Sequence, residues 1–475
     1  MSEPMDPFTP ALDLAAAVRA KKVSPVELVD HYLERADRLD PQLNAFCHRA
    51  DDEVRAAAGR AADAVATTPP EELPPFHGVP LPIKDLNRVA GWPTTYGSQG
   101  ASTEPNAASD LVVERFAEAG FVLLGTTNTP EFGTVSFTES RAHGITRNPW
   151  DTDHTPGGSS GGAGAAVAAG MAPIAHASDG GGSIRIPASC NGLVGLKPSR
   201  NRVPNGVNEL EGFATSGVLT RTVADTAAAL DVIGRPDPLS WYNAPPPDGR
   251  WSDLATREPG RLRIGYTTTP PIDLPVDPAC TEAVDATVRL LSSLGHEMVE
   301  AKLDLPDADH FIEAFTVVWN TGSAGVPLAD WDAIEPLNAA LRAAGRATDA
   351  IAYVEAVMAT QLLARPLMAQ LRDAFDVLLT PTMAVEPPRC GSVWEGADDD
   401  PMVALFNCYP MAIFTSVFNV TGLPALSLPL HQAPSGLPVG VQLAAGSWQE
   451  ATLLQLGTQL EQAAPWHDRH PALAT

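Results

Sequence analysis

Hydrophobic and polar positions along this chain fall into short segments separated by proline- and glycine-marked breaks. Residues 1–60 read as helices. Within them Ser24-Pro25-Val26-Glu27 forms a capping box with proline at the first helical position, which predicts a helix to about Leu39. Pro69, Pro70, Pro74 and Pro75 mark a loop. The apolar run 78–83 predicts a short buried strand ending at Lys84 and Asp85. An amphipathic helix follows over 110–119, and a buried strand over 121–124.

The second half is less regular. Residues 236–259 are rich in Pro, Asp and Trp and predict a surface excursion. Strand 262–266, helix 277–294 and strand 297–301 make a βαβ unit. Residues 311–321 and 351–375 read as helices, and 376–380 as a strand stopped by Pro381. Strands 425–430 and 439–443 flank Pro434-Ser435-Gly436, a hairpin signal, and 451–463 is a closing helix. No linker is long or polar enough to divide the chain. The expectation is one large α/β domain over 1–475, with a mixed, mostly parallel twisted sheet covered by helices on both faces. Its parts are the helices of 1–60, a central core over 76–220 and the remainder over 261–475.

A net charge of −26 argues against nucleic-acid and anionic-membrane partners, which need basic surface. No apolar run approaches the roughly 18 residues of a membrane helix, and no basic stretch precedes an apolar one at the start. The five cysteines, Cys47, Cys190, Cys280, Cys390 and Cys408, are scattered and form no CxxC, so free thiols and a cytoplasmic setting are expected. Only five lysines occur, Lys21, Lys22, Lys84, Lys197 and Lys302. Where arginine is the default cation, a lysine in apolar surroundings stands out, because its pKa can be moved.

Two serines lie in glycine-rich runs: Ser159 in GGSSGG (157–162) and Ser183 in GGGSIRIP (180–187). Glycine lets the backbone approach a ligand closely, and a serine beside free N–H groups is a candidate nucleophile next to an oxyanion hole. Between them, 161–170 is small and helix-favouring, and 172–178 is apolar enough to return as a strand. Helix out and strand back bring both serines to one end. Two bases are open. Gly157, Ser159 and Gly161 match the G-x-S-x-G elbow, which would call for a downstream histidine, but a loop rather than a strand precedes it. Alternatively Lys84, at the end of an apolar strand, becomes a base through desolvation, unless it snorkels to water.

GVPLPIKD (78–85), GTTNTPEF (125–132) and the Gly/Ser stretch through GLVGLKP (192–198) together resemble the amidase signature family. Weaker matches continue in TPT (380–382), FNVTGLP (418–424) and GVQ (440–442). The resemblance implies Ser183 as nucleophile, Ser159 as a bridging serine on a cis peptide bond, and Lys84 as base. It also implies an oxyanion hole at Gly180, Gly181, Gly182 and Ser183, and no metal or cofactor. Ser160, Asp179 and Arg185 are expected to support the triad, the latter two by holding the loop. Asp85 is expected to orient backbone, Cys190 to be core, and His143, His154 and His176 to take no part in chemistry.

The family includes hydrolases of aliphatic, aryl and peptide-like amides, of nylon oligomers and of carbamates; the chain looks most like nylon-oligomer amidases and urethanases. It also includes the A subunit of glutamyl-tRNA amidotransferase, a glutaminase that passes ammonia on. That subunit usually has glutamine two residues after the arginine matching Arg185, where this chain continues Ile186-Pro187. Candidate pocket segments are 132–137, 315–325 and 402–418; within them Phe132, Gly133, Thr134, Trp319, Phe406 and Tyr409, with Phe414 nearby, imply a hydrophobic acyl, aryl amide or carbamate substrate. The cysteine of some nylon-oligomer enzymes has no counterpart near Trp319. A monomer or homodimer acting on a small molecule, with some esterase activity, is expected.

Overall fold

The computed structural model describes residues 5–206 and 209–475; residues 1–4 of the expected helical segment lie outside it. The N-terminal helices are Ala11–Arg19, Pro25–Leu43 and Asp51–Thr67. Ser24 starts the second as expected: its side chain accepts from Val26 N at 3.2 Å, and its own N–H donates to Glu27 Oε2 at 2.9 Å.

Two sheets carry the core. In the smaller, β1 (Phe46–His48) pairs antiparallel with β3 (Val122–Thr127), and β2 (Pro80–Lys84) pairs parallel with β3. A two-stranded ribbon, β4 (Glu139–Ser140) and β5 (Gly144–Ile145), follows. The larger sheet holds β6 (Ala175–Asp179), β7 (Val194–Lys197), β8 (Thr215–Thr220), β9 (Arg263–Tyr266), β10 (Glu297–Glu300), β11 (Val377–Pro381), β12 (Ala425–Gln432) and β13 (Pro438–Ala445). Their spatial order is β10-β9-β11-β13-β12-β7-β8-β6.

The sheet is mixed and flanked by helices, but its strands are not mostly parallel. Among the described residues, β9–β10 and β9–β11 are parallel, whereas β11–β13, β12–β13, β7–β12, β7–β8 and β6–β8 are antiparallel. Apolar runs reveal burial and not direction. A helical crossover joins β9 to β10, whereas β12 and β13 turn directly into each other through residues 433–437. One apolar cluster runs from Ala11 to Ala474 and includes Leu28, Leu81 and Phe116 along with Leu426 and Leu443, so both sheets share a core. The 236–259 excursion is split: Trp241 is exposed, while Trp251 is buried at the start of a short helix, Trp251–Leu254. Among the described residues, no helix is long and apolar enough to cross a membrane.

Ser24→Ala removes one side of the capping box. A loss of about 1 kcal/mol is expected, seen as a lower urea midpoint with turnover unchanged.

Candidate active site

All five residues of β2 are buried, so its last side chain, Lys84, enters the interior at 0% exposure. There the smaller sheet meets β6 of the larger. Lys84 Nζ lies 2.7 Å from Ser159 Oγ and 3.1 Å from Ser178 Oγ. Among the described residues it has no ion pair. Burial lowers its pKa to about 7, against a smaller opposing pull from the Asp179 charge.

Ser159 follows a cis peptide bond from Gly158. A Cβ at Gly158 would sit 2.5 Å from the Phe137 backbone, so only glycine lets these two segments come so close. The all-buried helix Gly161–Ala168 then leads away, and β6 returns toward Lys84. Ser160 Oγ donates to Ser178 O at 3.2 Å and accepts from Ser178 N at 3.4 Å, which ties the start of that helix to β6.

The loop after β6 is organised by Asp179 and Arg185, both fully buried and joined in a two-pronged ion pair, Nη2–Oδ1 and Nε–Oδ2, each 2.9 Å. Burial alone would raise the Asp179 carboxyl, but the Arg185 charge and its hydrogen bonds hold it at about 2. Arg185 also donates to Thr415 O, to Gln442 Oε1 at 2.7 Å and to Asn419 Oδ1 at 2.7 Å. Asp179 accepts from Gly182 N at 2.8 Å and Ile184 N at 3.2 Å. The Gly182 N–H is therefore spent on the loop, which corrects its expected place in an oxyanion hole. The N–H groups of Gly180, Gly181 and Ser183 donate to no other group among the described residues. Gly182 has φ +139°, and a Cβ there would collide with Thr415.

Ser183 is 7% exposed and lines a cavity of about 90 Å³. Gly133, Thr134, Trp319 and Tyr409 line it too, as expected, joined by Ile312, Phe315 and Ile413. Phe315 and Trp319 stack with centroids 5.3 Å apart, and the Trp319 ring covers Gly180 and Gly181. Among the described residues, none that lines this cavity is charged. Phe132, Phe406 and Phe414 are not part of it. Phe132 turns toward Trp331, Phe406 is 53% exposed, and Phe414 is core with Ala384 and Ile413. Ile312 lies outside the expected segments but carried a signal: with Phe315, Thr316 and Trp319 it recurs at helical spacing on one face of Ala308–Gly322.

Asp85 accepts from Thr95 N at 3.1 Å and from the Thr95 hydroxyl, which also meets His143 Nε2 at 2.7 Å. It thus fixes the 95–97 loop, as expected of a backbone-orienting residue. His176 is buried, its Nδ1 accepting from Lys84 N at 3.3 Å, and burial lowers its pKa to about 3. His154 is linked to Asp151, at 3.1 Å. Cys190 is buried beside Met383.

The amidase family model matches residues 27–454. The 6-aminohexanoate-cyclic-dimer hydrolase of Paenarthrobacter ureafaciens is 33% identical over 496 residues, covering 99% of this chain and 97% of that protein. The solved structure of 6-aminohexanoate cyclic dimer hydrolase with substrate superposes with a TM-score of 0.92 at 32% identity, over 99% of this chain and 100% of that one. A bacterial aryl acylamidase of the amidase signature family superposes with a TM-score of 0.87 at 25% identity, covering 97% of each chain. The chain belongs to the amidase signature family, and it is a hydrolase of carbon–nitrogen bonds in non-peptide amides.

Asp179→Asn leaves Arg185 buried without its counter-charge. A loss of about 3–5 kcal/mol is expected in denaturant unfolding. Ser160→Ala, which removes two neutral hydrogen bonds, should cost less than half of that.

Proposed function

We propose that the chain hydrolyses small hydrophobic amides, aryl or acyl, and related carbamates, through an acyl-enzyme on Ser183. The observation that carries this reading is a buried lysine without an ion pair, touching Ser159, beside an uncharged apolar cavity that Ser183 lines. Neutral Lys84 takes the Ser159 proton as Ser159 takes the Ser183 proton, and Ser183 Oγ attacks the substrate carbonyl. No hydrogen bond joins Ser159 to Ser183 among the described residues, and such bonds tighten when substrate arrives. The developing oxyanion is met by the free N–H groups of Gly180, Gly181 and Ser183, each worth roughly 2.7–4 kcal/mol in such a site. Ser159 then gives its proton to the leaving amine and regains one from Lys84. Water attacks the acyl-enzyme by the same relay and releases the acid.

The cavity sets the substrate class. Its volume, about 90 Å³, is smaller than the roughly 150 Å³ cavity known to hold benzene. A short acyl or carbamoyl group fits it, with bulkier parts toward the mouth against Trp319 and Tyr409. Lacking a charged residue, the lining offers no grip for the ammonium and carboxylate of free glutamine, which disfavours the ammonia-donor reading. Esters of the same acids are expected as weaker substrates.

Across anilides, aliphatic amides, dipeptide amides, esters and N-aryl carbamates, kcat/KM should be highest for uncharged apolar substrates; a preference for glutamine would reverse the assignment. Ser183→Ala should abolish turnover, and a fluorophosphonate should label Ser183 and not Ser159 by mass spectrometry. Because the base must be neutral, kcat/KM should rise with pH through about 7 and level off above it. Lys84→Ala should lose about 10²–10⁴-fold and with it that pH step.

A further inference from the structure

A second, larger cavity of about 370 Å³ shares no lining residue with the first. One apolar cluster connects their walls: Val135, Leu405 and Cys408 face the Ser183 cavity, while Leu337, Trp394 and Ala397 face this one. Its lining carries three carboxyl groups, Glu139, Glu335 and Asp398, against one guanidinium, Arg141.

The three carboxyls differ. Glu139 is satisfied, accepting from Gly391 N at 2.9 Å and Trp394 Nε1 at 3.0 Å. Asp398 is exposed. Glu335 is only 6% exposed, and its Oε1 accepts from Arg141 N at 2.7 Å. Its other oxygen, Oε2, has no hydrogen-bond partner among the described residues and is left to the cavity. Behind it lies another carboxylate, Glu131, whose Oε2 accepts from Glu335 N at 2.8 Å and Asn338 Nδ2 at 2.9 Å. Burial, with the Glu131 charge adding to it, raises the Glu335 pKa to about 7. The Arg141 side chain forms no ion pair with any of these groups. A buried carboxylate of this kind is stabilised by a cation delivered from the cavity.

The remaining lining decides which cation. A hard divalent metal needs about six oxygen ligands, and Glu335 Oε2 with the one exposed carboxylate of Asp398 falls short of that number. Leu337, Pro336, Ile145 and the Trp394 indole instead offer apolar surface and a ring face to an organic cation. The cavity size also falls in the roughly 300–1,000 Å³ range of small-molecule sites.

We propose that this cavity is a second ligand site that takes a small organic ammonium ion, its head on Glu335 Oε2 and its apolar body against Leu337 and Trp394. The site stands apart from the chemistry assigned to Ser183. One hydrogen bond crosses the wall between the two cavities: Asn338, which donates to Glu131, accepts from the hydroxyl of Thr134 at 2.9 Å.

The test is calorimetric titration of the intact protein with n-hexylammonium chloride at pH 8. Saturable binding is expected, with hexan-1-ol at least tenfold weaker. Glu335→Gln should weaken the ammonium at least tenfold, and Arg141→Gln, which removes the one positive side chain, should tighten it. Protein labelled on Ser183 with a fluorophosphonate should bind with unchanged affinity. Absence of saturable binding, equal affinity in Glu335→Gln, or loss of binding on Ser183 labelling would each overturn the proposal. Should Glu335→Gln fail to fold, Asp398→Asn, exposed and outside the hydrogen-bond networks, should weaken binding severalfold while Arg141→Gln tightens it; no change in either would count equally against it.

Discussion

The burial of Lys84 without a counter-charge is the constraint around which this molecule is arranged. An ammonium in that position is costly: the shift from 10.5 to about 7 corresponds to about 5 kcal/mol of destabilisation of the ammonium relative to water. A carboxylate contact would cancel the effect by favouring the charged form. The fold gives Lys84 two serine hydroxyls instead, on Ser159 and Ser178, and keeps the acid whose charge reaches it, Asp179, engaged by Arg185. Both halves of the core are needed for this. The smaller sheet delivers the lysine, and the larger one, through β6, delivers the groups that meet it.

The Asp179–Arg185 pair is the counterpart of that arrangement. It is also fully buried, but it is saturated: Thr415, Asn419 and Gln442 take the remaining guanidinium donors, and loop N–H groups take the carboxylate. Charge is thus neutralised where rigidity is wanted and withheld where proton transfer is wanted. The loop held in this way leaves three N–H groups uncommitted beside Ser183, and the Trp319 ring closes over its glycines. The shape of the substrate cavity therefore depends on residues more than 200 positions apart.

That distance explains what could be read in the sequence. Lys84 could, because a lysine ending an apolar strand in a chain with five lysines is conspicuous. The glycine-set serines could too, with the resemblance deciding between lysine and histidine as base. Strand direction could not. Burial makes a run apolar whichever way its neighbours point, so the antiparallel majority of the large sheet went unforeseen. The pocket was legible in part. Trp319 and Tyr409 were found by residue type, whereas type alone also suggested Phe406, which faces solvent, and Phe414, which is core. Helical spacing over 312–319 would have separated pocket from core better than aromatic character did. That the Gly182 N–H is committed to Asp179 is a matter of loop geometry that no local pattern carries.

The most direct test of the account is the titration of Lys84 itself. Five lysines make side-chain NMR with ¹⁵Nζ- and ¹³Cε-labelled lysine tractable. Lys197 is also buried, with its pKa lowered to about 7, so the Lys84 resonance has to be assigned by its absence in Lys84→Ala. This resonance is expected to titrate with a midpoint near 7 in the free enzyme. A midpoint near the ordinary lysine value, about 10.4, would mean that Lys84 is charged at neutral pH, and the assignment of this residue as the base would be wrong.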